Sequence, residues 1–193
     1  MDIVKNIIYT PGILIRKSIF ERELVKTENS VDRVYPKIPI YIVPGFYFSK
    51  PTHIMENIYL GNVLNASNDE VLKNLNIGAI INITEEIPNY YGDMENYPTF
   101  YNEGIMYYTT RIKDVNQGDI TTDFKKIIKF MTDNNDKNIL IHCFMGASRS
   151  VIVTMLYLIH FKKMAPVDAL AYIKERRPNI NPNSLFYDQI KNY

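Results

Sequence analysis

The stretch that decides the fold is His142-Cys143-Phe144-Met145-Gly146-Ala147-Ser148-Arg149-Ser150. It follows a short apolar run at 138–141 and precedes a long apolar helical pattern at 151–161, so it joins a strand to a helix. Cys143, the only cysteine of the chain, stands at the end of the strand. A loop that feeds a helix N-terminus directs backbone N–H groups and the positive end of the helix dipole at one spot. Such a spot stabilises a thiolate and binds phosphate, which are the two requirements for transferring a phosphoryl group to sulfur.

Length and composition are those of an ordinary globular protein with one main domain. The 193 residues have a mass of 22.5 kDa. Of these residues 46% are hydrophobic and 22% are charged, which is enough apolar chain for a substantial core. The formal net charge is +1, so charge alone favours neither nucleic acid nor a membrane surface as a partner. No apolar run has membrane-spanning length and no secretory leader is evident, so we expect neither.

Cysteine and histidine usage excludes several kinds of site. A single cysteine excludes an internal disulfide and a cysteine-cluster zinc site, and it is compatible with a cytoplasmic or other reducing, intracellular compartment. His53, His142 and His160 are scattered along the chain and form no helical metal-binding pair. We therefore expect no metal and no cofactor.

The first 53 residues are predicted to form an N-terminal extension. Apolar residues mixed with charged ones over 13–25, after a Pro-Gly pair, predict an amphipathic helix. Three prolines at 36, 39 and 44 favour extended chain over 34–50. Two interpretations of this extension stay open. It packs on the main domain or frays, or it is a dimerisation or partner-docking element.

The main domain, 54–193, alternates predicted strands with predicted helices. Strands are predicted at 57–61, 79–83, 105–112 and 139–142. A first helix is predicted after a capping-box pattern at 67–70, and a second begins at about 122. Three further helices are predicted at 150–161, 166–176 and 185–192. This order predicts an α/β fold, in which a central, mostly parallel sheet is flanked by helices and followed by a helical C-terminal part. Parallel sheets hold ligands at the carboxyl ends of their strands, which is where Cys143 falls.

These residues also carry a resemblance to a known family. His142-Cys143-x-x-Gly146-x-x-Arg149-Ser150 resembles the signature loop of the cysteine-based protein tyrosine phosphatase superfamily, and the flanking pattern resembles its dual-specificity subfamily. The flanking pieces are Ile58-Tyr59-Leu60-Gly61, Ile80-Ile81-Asn82-Ile83-Thr84, Asp114 followed by Asp119-Ile120, and Arg177-Pro178-x-Ile180-x-Pro182-Asn183. The match runs from about residue 54 to the C-terminus and implies a phosphatase catalytic domain there.

The resemblance implies a role for each of four catalytic residues. As a thiolate, Cys143 attacks phosphorus and forms a cysteinyl-phosphate intermediate, while the planar guanidinium of Arg149 holds two phosphate oxygens. Asp114 is the candidate general acid and then general base, and its rival Asp119 has the position of a helix-start acid. Ser150 fits a hydroxyl donor to the thiolate, although a simple helix-capping role stays open.

Other loop residues are expected to bind phosphate or to support the loop. The phosphate-binding set consists of Phe144, Met145, Gly146, Ala147, Ser148 and Arg149. His142 is expected to be a structural hydrogen-bonding residue within the loop. Asn183 resembles a residue that steadies the loop by hydrogen bonding, and its alternative role is to cap the last helix.

The variable loop positions bear on the substrate. Phe144, Met145 and Ala147 carry no charge, which by resemblance favours phosphotyrosine and phosphoserine or phosphothreonine in proteins over phosphoinositides or RNA 5′-phosphates. An alternative from a different functional class is a catalytically weak module that binds phosphoproteins without acting as a phosphatase. The expected partner is a phosphorylated protein, with no nucleic acid, and the resemblance leaves a homodimer through the N-terminal extension open.

Overall fold

A computed structural model of the chain describes residues 50–85, 87, 89, 104–110, 112 and 120–193. The strands are β1 (Thr52–Met55), β2 (Ile58–Gly61), β3 (Ile77–Asn82), β4 (Met106–Thr109) and β5 (Asn138–His142). The helices are α1 (Val63–Ala66), α2 (Asp69–Asn74), α3 (Phe124–Asp133), α4 (Arg149–Lys162), α5 (Pro166–Arg176) and α6 (Ser184–Lys191), with a 3₁₀ turn at Thr121–Asp123 before α3.

The strands form one five-stranded sheet in the order β1-β2-β5-β3-β4. β1 is antiparallel to β2, and all the other neighbours are parallel. The sheet and the helices around it confirm the predicted α/β fold with a mostly parallel sheet and a helical C-terminal part. β5 lies at the centre, where Gly61 of β2 and Asn82 of β3 pair with His142. The carboxyl ends of three strands therefore meet at the residue before Cys143.

The core fixes the position of α4 behind this edge. β3 and β5 are almost wholly apolar and buried, as parallel strands covered on both faces must be. The first ten residues of α4, from Arg149 to Leu158, are all buried, which explains why its sequence is hydrophobic all round rather than amphipathic. Because α4 begins inside the core, its N-terminus is held firmly against the end of β5.

The N-terminal part of the domain contains two short elements that the sequence pattern did not predict. β1 and α1 have four residues each, too few for a helical or alternating periodicity to be recognised. β1 starts at Thr52 and so crosses the expected boundary between 53 and 54, which stays a prediction. The chain divides into the units Met1–Tyr41 and Ile42–Tyr193, and every described residue belongs to the second.

Several predicted boundaries differ by one or more residues from those observed, and two of the differences have a clear physical cause. The N-cap of α2 is Asn68, whose side chain accepts a hydrogen bond from the Val71 N–H, rather than Ser67. Ser67 is engaged with the preceding turn, where its hydroxyl donates to the Leu64 carbonyl, and Asn is as good an N-cap as Ser. The strand predicted at 105–112 ends at Thr109, because its partner β3 ends at the paired Asn82.

Several predictions lie outside the described residues. They include the helix at 13–25, almost all of the extended segment at 34–50, and both candidate general acids, Asp114 and Asp119. Within the described part of the chain, no helix is long and apolar enough to span a membrane.

Candidate active site

The loop between β5 and α4 places the sulfur of Cys143 inside a set of hydrogen-bond donors. The Cys143 side chain is 2% exposed. The Gly146 N–H donates to its Sγ at 3.2 Å, and the Ser150 hydroxyl lies 3.1 Å from the same atom. Both groups can donate to a negatively charged sulfur, so the loop is arranged to hold a thiolate. Ser150 thus contacts Cys143, and the N-cap position of α4 belongs to Ser148.

Backbone carbonyls of the loop are held from outside by other elements. Three of these carbonyls accept from backbone N–H groups: His142 O from Ile83 at 3.0 Å, Phe144 O from Val63 at 3.1 Å, and Ala147 O from Asn181 at 2.9 Å. The fourth, Gly146 O, accepts from the side-chain Nε of Arg177 at 2.9 Å. In a trans peptide the next N–H points opposite to the carbonyl. The N–H groups that follow these carbonyls therefore point away from the surrounding elements, into the loop, where they can bind an anion.

Arg149 opens α4 and is 3% exposed. Its Nη1 donates to the backbone carbonyl of Ile112 at 2.9 Å. Ile112 is itself buried and precedes the candidate general acid by two residues in the sequence. Arg149 therefore connects the start of the helix that follows the loop to the segment that leads to Asp114.

His142 and Asn183 both contact the loop. The buried His142 ring lies with Nδ1 3.4 Å from the Cys143 carbonyl, which suits a structural role in the loop. The Asn183 side chain caps α6 by accepting from the Leu185 N–H at 2.9 Å, while its backbone N–H donates to Ser148 Oγ at 3.0 Å. Asn183 thus makes both contacts that the sequence suggested as alternatives, although the contact to the loop uses its backbone.

Gly146 has no room for a side chain. Its φ is +71°, in the left-handed region, and a Cβ built on it would lie 2.4 Å from the carbonyl oxygen of Gly61. The same Cβ would lie 2.9 Å from Arg177 Nη2. The end of β2 and the guanidinium of Arg177 therefore press directly on the back of the loop.

We expect Gly146→Ala to destabilise the fold by roughly 3 kcal/mol, since left-handed strain of about 1–3 kcal/mol adds to the contact with the Gly61 carbonyl. Urea unfolding measures the loss. Gly104→Ala is the matched control, because Gly104 also has a positive φ, +97°, but a Cβ there meets nothing within 4 Å. Equal destabilisation by the two substitutions would show that the close approach to Gly61 contributes nothing.

Three polar residues that hold the loop were not identified from the sequence. Asn62 and Asn65 are buried and form a reciprocal capping box at the start of α1, with contacts of 2.9 and 3.0 Å. This box orients the Val63 N–H toward the loop. Arg177 appeared in the sequence only as part of a family pattern, without a role. For Asn62 the available signal was its place directly after the Gly61 strand end, at the edge where parallel strands bind ligands, and Asn65 follows it at the spacing of a capping box.

Within the described part of the chain, no group of three or more His, Cys, Asp or Glu side chains is placed to hold a metal ion. The Sγ of Cys143 makes hydrogen-bonding contacts with the Gly146 N–H and the Ser150 hydroxyl. Such a donor set fits an oxyanion rather than a cation.

Comparison with known proteins agrees with this geometry. The family described as the dual specificity phosphatase catalytic domain matches residues 58–193, more than half of the chain. Dual specificity protein phosphatase Mpk3 of Drosophila melanogaster is 30% identical over 161 residues, which cover 82% of this chain and 34% of that protein. The chain spans about a third of the length of the curated relatives it matches.

Two solved structures share the fold at somewhat lower identity. The crystal structure of DUSP15 is similar with a TM-score of 0.64 and 29% identity, covering 74% of this chain and 85% of that one. A human tyrosine phosphatase-like serine/threonine/tyrosine-interacting protein gives a TM-score of 0.64 and 26% identity, covering 74% of this chain and 94% of that one.

Proposed function

Because the chain belongs to the dual specificity phosphatase family, we propose that it is a cysteine-dependent protein phosphatase that hydrolyses phosphotyrosine and phosphoserine or phosphothreonine. The observation that carries this proposal is the placement of Cys143 Sγ within 3.2 Å of both the Gly146 N–H and the Ser150 hydroxyl. A buried arginine, Arg149, begins the helix that follows. Nucleophile, amide donors and guanidinium thus occupy one loop.

The proposed reaction has two steps. In the first, the Cys143 thiolate attacks phosphorus, an S–P bond forms, the P–O bond to the substrate breaks, and Asp114 protonates the leaving oxygen. In the second, the Asp114 carboxylate takes a proton from water, the water oxygen attacks phosphorus, and the S–P bond breaks. The Ser150 hydroxyl stabilises the departing thiolate, and Arg149 together with the amides of 144–149 holds the phosphate oxygens in both steps.

The surface of the loop supports protein substrates. Phe144, Met145 and Ala147 are each half-buried and present no charge at the rim of the site. These three side chains offer no ion pairs to the additional phosphates of an inositol lipid or an RNA 5′ end. The names of the relatives that the chain matches also refer to protein phosphatases.

We expect Asp114→Asn to lower kcat for an aryl phosphate roughly 10²-fold, because positioned acid–base catalysis contributes about 10²–10⁴-fold. An amide side chain does not ionise between pH 5 and 8, so the fall in rate on the basic side of the wild-type pH profile should disappear. Initial rates between pH 5 and 8 test this. Asp119→Asn is the control, and loss of the basic limb in that variant instead would assign the acid to Asp119.

A phosphoprotein-binding module without turnover is the second candidate function. It is favoured by the similarity to a solved protein whose name describes it as phosphatase-like and interacting. The presence of Cys143, Arg149 and Asp114 together in one chain supports the enzyme. A nucleophilic thiol must also stay reduced, so we place the reaction in a reducing intracellular compartment.

One assay separates the candidate functions. The chain is incubated with a phosphotyrosine peptide, a phosphothreonine peptide, an inositol phospholipid and a 5′-triphosphorylated RNA, and phosphate release is measured. We expect release from the two peptides only. Preferred release from the lipid or the RNA would replace the protein substrate, and binding of the peptides without release would support the second candidate.

We also propose that residues 1–53 are an N-terminal extension of a catalytic domain at 54–193, and that the chain forms a homodimer through this extension. The amphipathic pattern at 13–25 supports such a contact. Light scattering of the chain with and without residues 1–50 measures the oligomeric state, and a monomer mass for both chains would end the idea. The truncation stops before Thr52, where β1 begins.

A further inference from the structure

Arg177 is a buried cation behind the loop that the proposed reaction does not use. It is 5% exposed and lies just after the last residue of α5. Its Nε donates to Gly146 O at 2.9 Å and its Nη1 donates to Thr52 Oγ1 at 3.1 Å. Among the described residues, Nη2 has no hydrogen-bond partner. No carboxylate in the described part of the chain forms an ion pair with this guanidinium.

A buried charge of this kind is costly and needs a reason. Desolvation by burial lowers the pKa of the Arg177 guanidinium, and the negative charge at Cys143 raises it. Arginine nevertheless keeps its proton in proteins. Lysine, with a compact ammonium, could not direct two separate N–H groups at the loop and at β1. The position thus favours a planar, permanently charged side chain.

The peptide between Gly146 and Ala147 is polarised by the positive charge of Arg177. Arg177 binds its carbonyl end, and the Ala147 N–H at the other end points away from Arg177, into the loop. A hydrogen bond from a cation to a carbonyl polarises the peptide and strengthens its N–H as a donor. The same contact holds Gly146 at its positive φ, and Gly146 in turn directs its own N–H at Cys143 Sγ.

We propose that Arg177 is a positioning residue that fixes the 146–147 peptide from behind and strengthens its N–H as a phosphate donor, without touching the substrate. This inference rests on the proposed function, although Arg177 would strengthen the binding of any oxyanion in the loop. Arg149 then holds the phosphate from the front, and Arg177 orients and polarises the amides behind it.

The test uses Cys143 as a probe, since it is the only thiol of the full chain. Iodoacetate, which is an anion, and iodoacetamide, which is neutral, both alkylate it by forming a C–S bond and releasing iodide. The ratio of their rates reports the positive potential at the sulfur. Protection against iodoacetamide by tungstate reports the oxyanion affinity. Neither readout requires turnover.

We expect Arg177→Met to lower the iodoacetate-to-iodoacetamide ratio and to weaken tungstate binding by about tenfold, the equivalent of one charge-assisted hydrogen bond. Arg177→Lys should restore most of the ratio, because the charge returns, but only part of the tungstate affinity. The matched control is Arg176→Met, since Arg176 is exposed and bonds to Tyr172 O and to Glu175. The control should match the wild type in both readouts.

A lower melting temperature for Arg177→Met with an unchanged ratio and unchanged tungstate protection would mean a purely structural role and would overturn the inference. If Arg177→Met does not fold, Arg177→Lys decides, because wild-type tungstate affinity in that variant overturns the inference and weakened affinity supports it. The proposed function fails separately, when the wild type releases no phosphate from any substrate while the effects of Arg177→Met on ratio and protection persist.

Discussion

Replacing Cys143 by serine is expected to abolish hydrolysis of an aryl phosphate, with a loss on the order of 10⁴- to 10⁶-fold, as for other removed nucleophiles. A serine hydroxyl stays protonated at neutral pH and has no neighbouring base in the loop, since the described groups around Sγ are donors. Phosphate release measured with an excess of enzyme gives the residual rate. The oxyanion-binding amides stay in place, so the variant should still bind tungstate and phosphotyrosine peptide.

This prediction separates the two candidate functions. An enzyme loses turnover and keeps binding in the Cys143→Ser variant, whereas a binding module shows no turnover in either protein. Normal turnover in Cys143→Ser would contradict the whole mechanism. The melting temperature serves as the control for folding, because Cys143 and serine have similar volumes and the site is buried.

Arg149→Lys is expected to lower kcat/KM roughly 10³-fold, a loss at the upper end of that for one removed oxyanion donor. Arg149 has a planar fork that can bind two oxygens of the phosphate, and its Nη1 also bonds to the Ile112 carbonyl at 2.9 Å. A lysine ammonium keeps the charge but cannot offer two parallel N–H groups. Steady-state kinetics on the aryl phosphate measure the effect.

Arg176→Lys is the control for this substitution. Arg176 is exposed, and its guanidinium lies 3.4 Å above the Tyr172 ring, so the change should leave kcat/KM near the wild-type value. An equal loss in both variants would point to a general effect on folding. Wild-type kinetics in Arg149→Lys would show that charge alone suffices at this position and that the bidentate role is wrong.

The parts of the fold that could be predicted from the sequence are those with strong hydrophobic patterning. β3 and β5 are runs of apolar residues buried on both faces, and α5 was predicted with its observed ends because Pro166 marks its first turn. The position of Cys143 at the carboxyl end of a central parallel strand follows from the same patterning. Local periodicity was sufficient wherever an element was long and buried.

The parts that could not be predicted depend on contacts between distant residues. β1 has the sequence Thr-His-Ile-Met and forms because it pairs with β2, not because of its own pattern. The support of the loop by Arg177 joins residues 31 positions apart, and nothing in the surrounding sequence distinguishes it from the exposed Arg176. A family pattern marks such a residue, but only the folded structure shows its partner.

The burial of α4 has a consequence for how the protein loses its site. Its first ten residues are buried in the core, so the amides behind the loop have no route to solvent through local fraying. Exchange of these amides with deuterated water should require opening of the whole domain. The loop therefore persists for as long as the domain stays folded, and the site and the core should melt in a single cooperative transition.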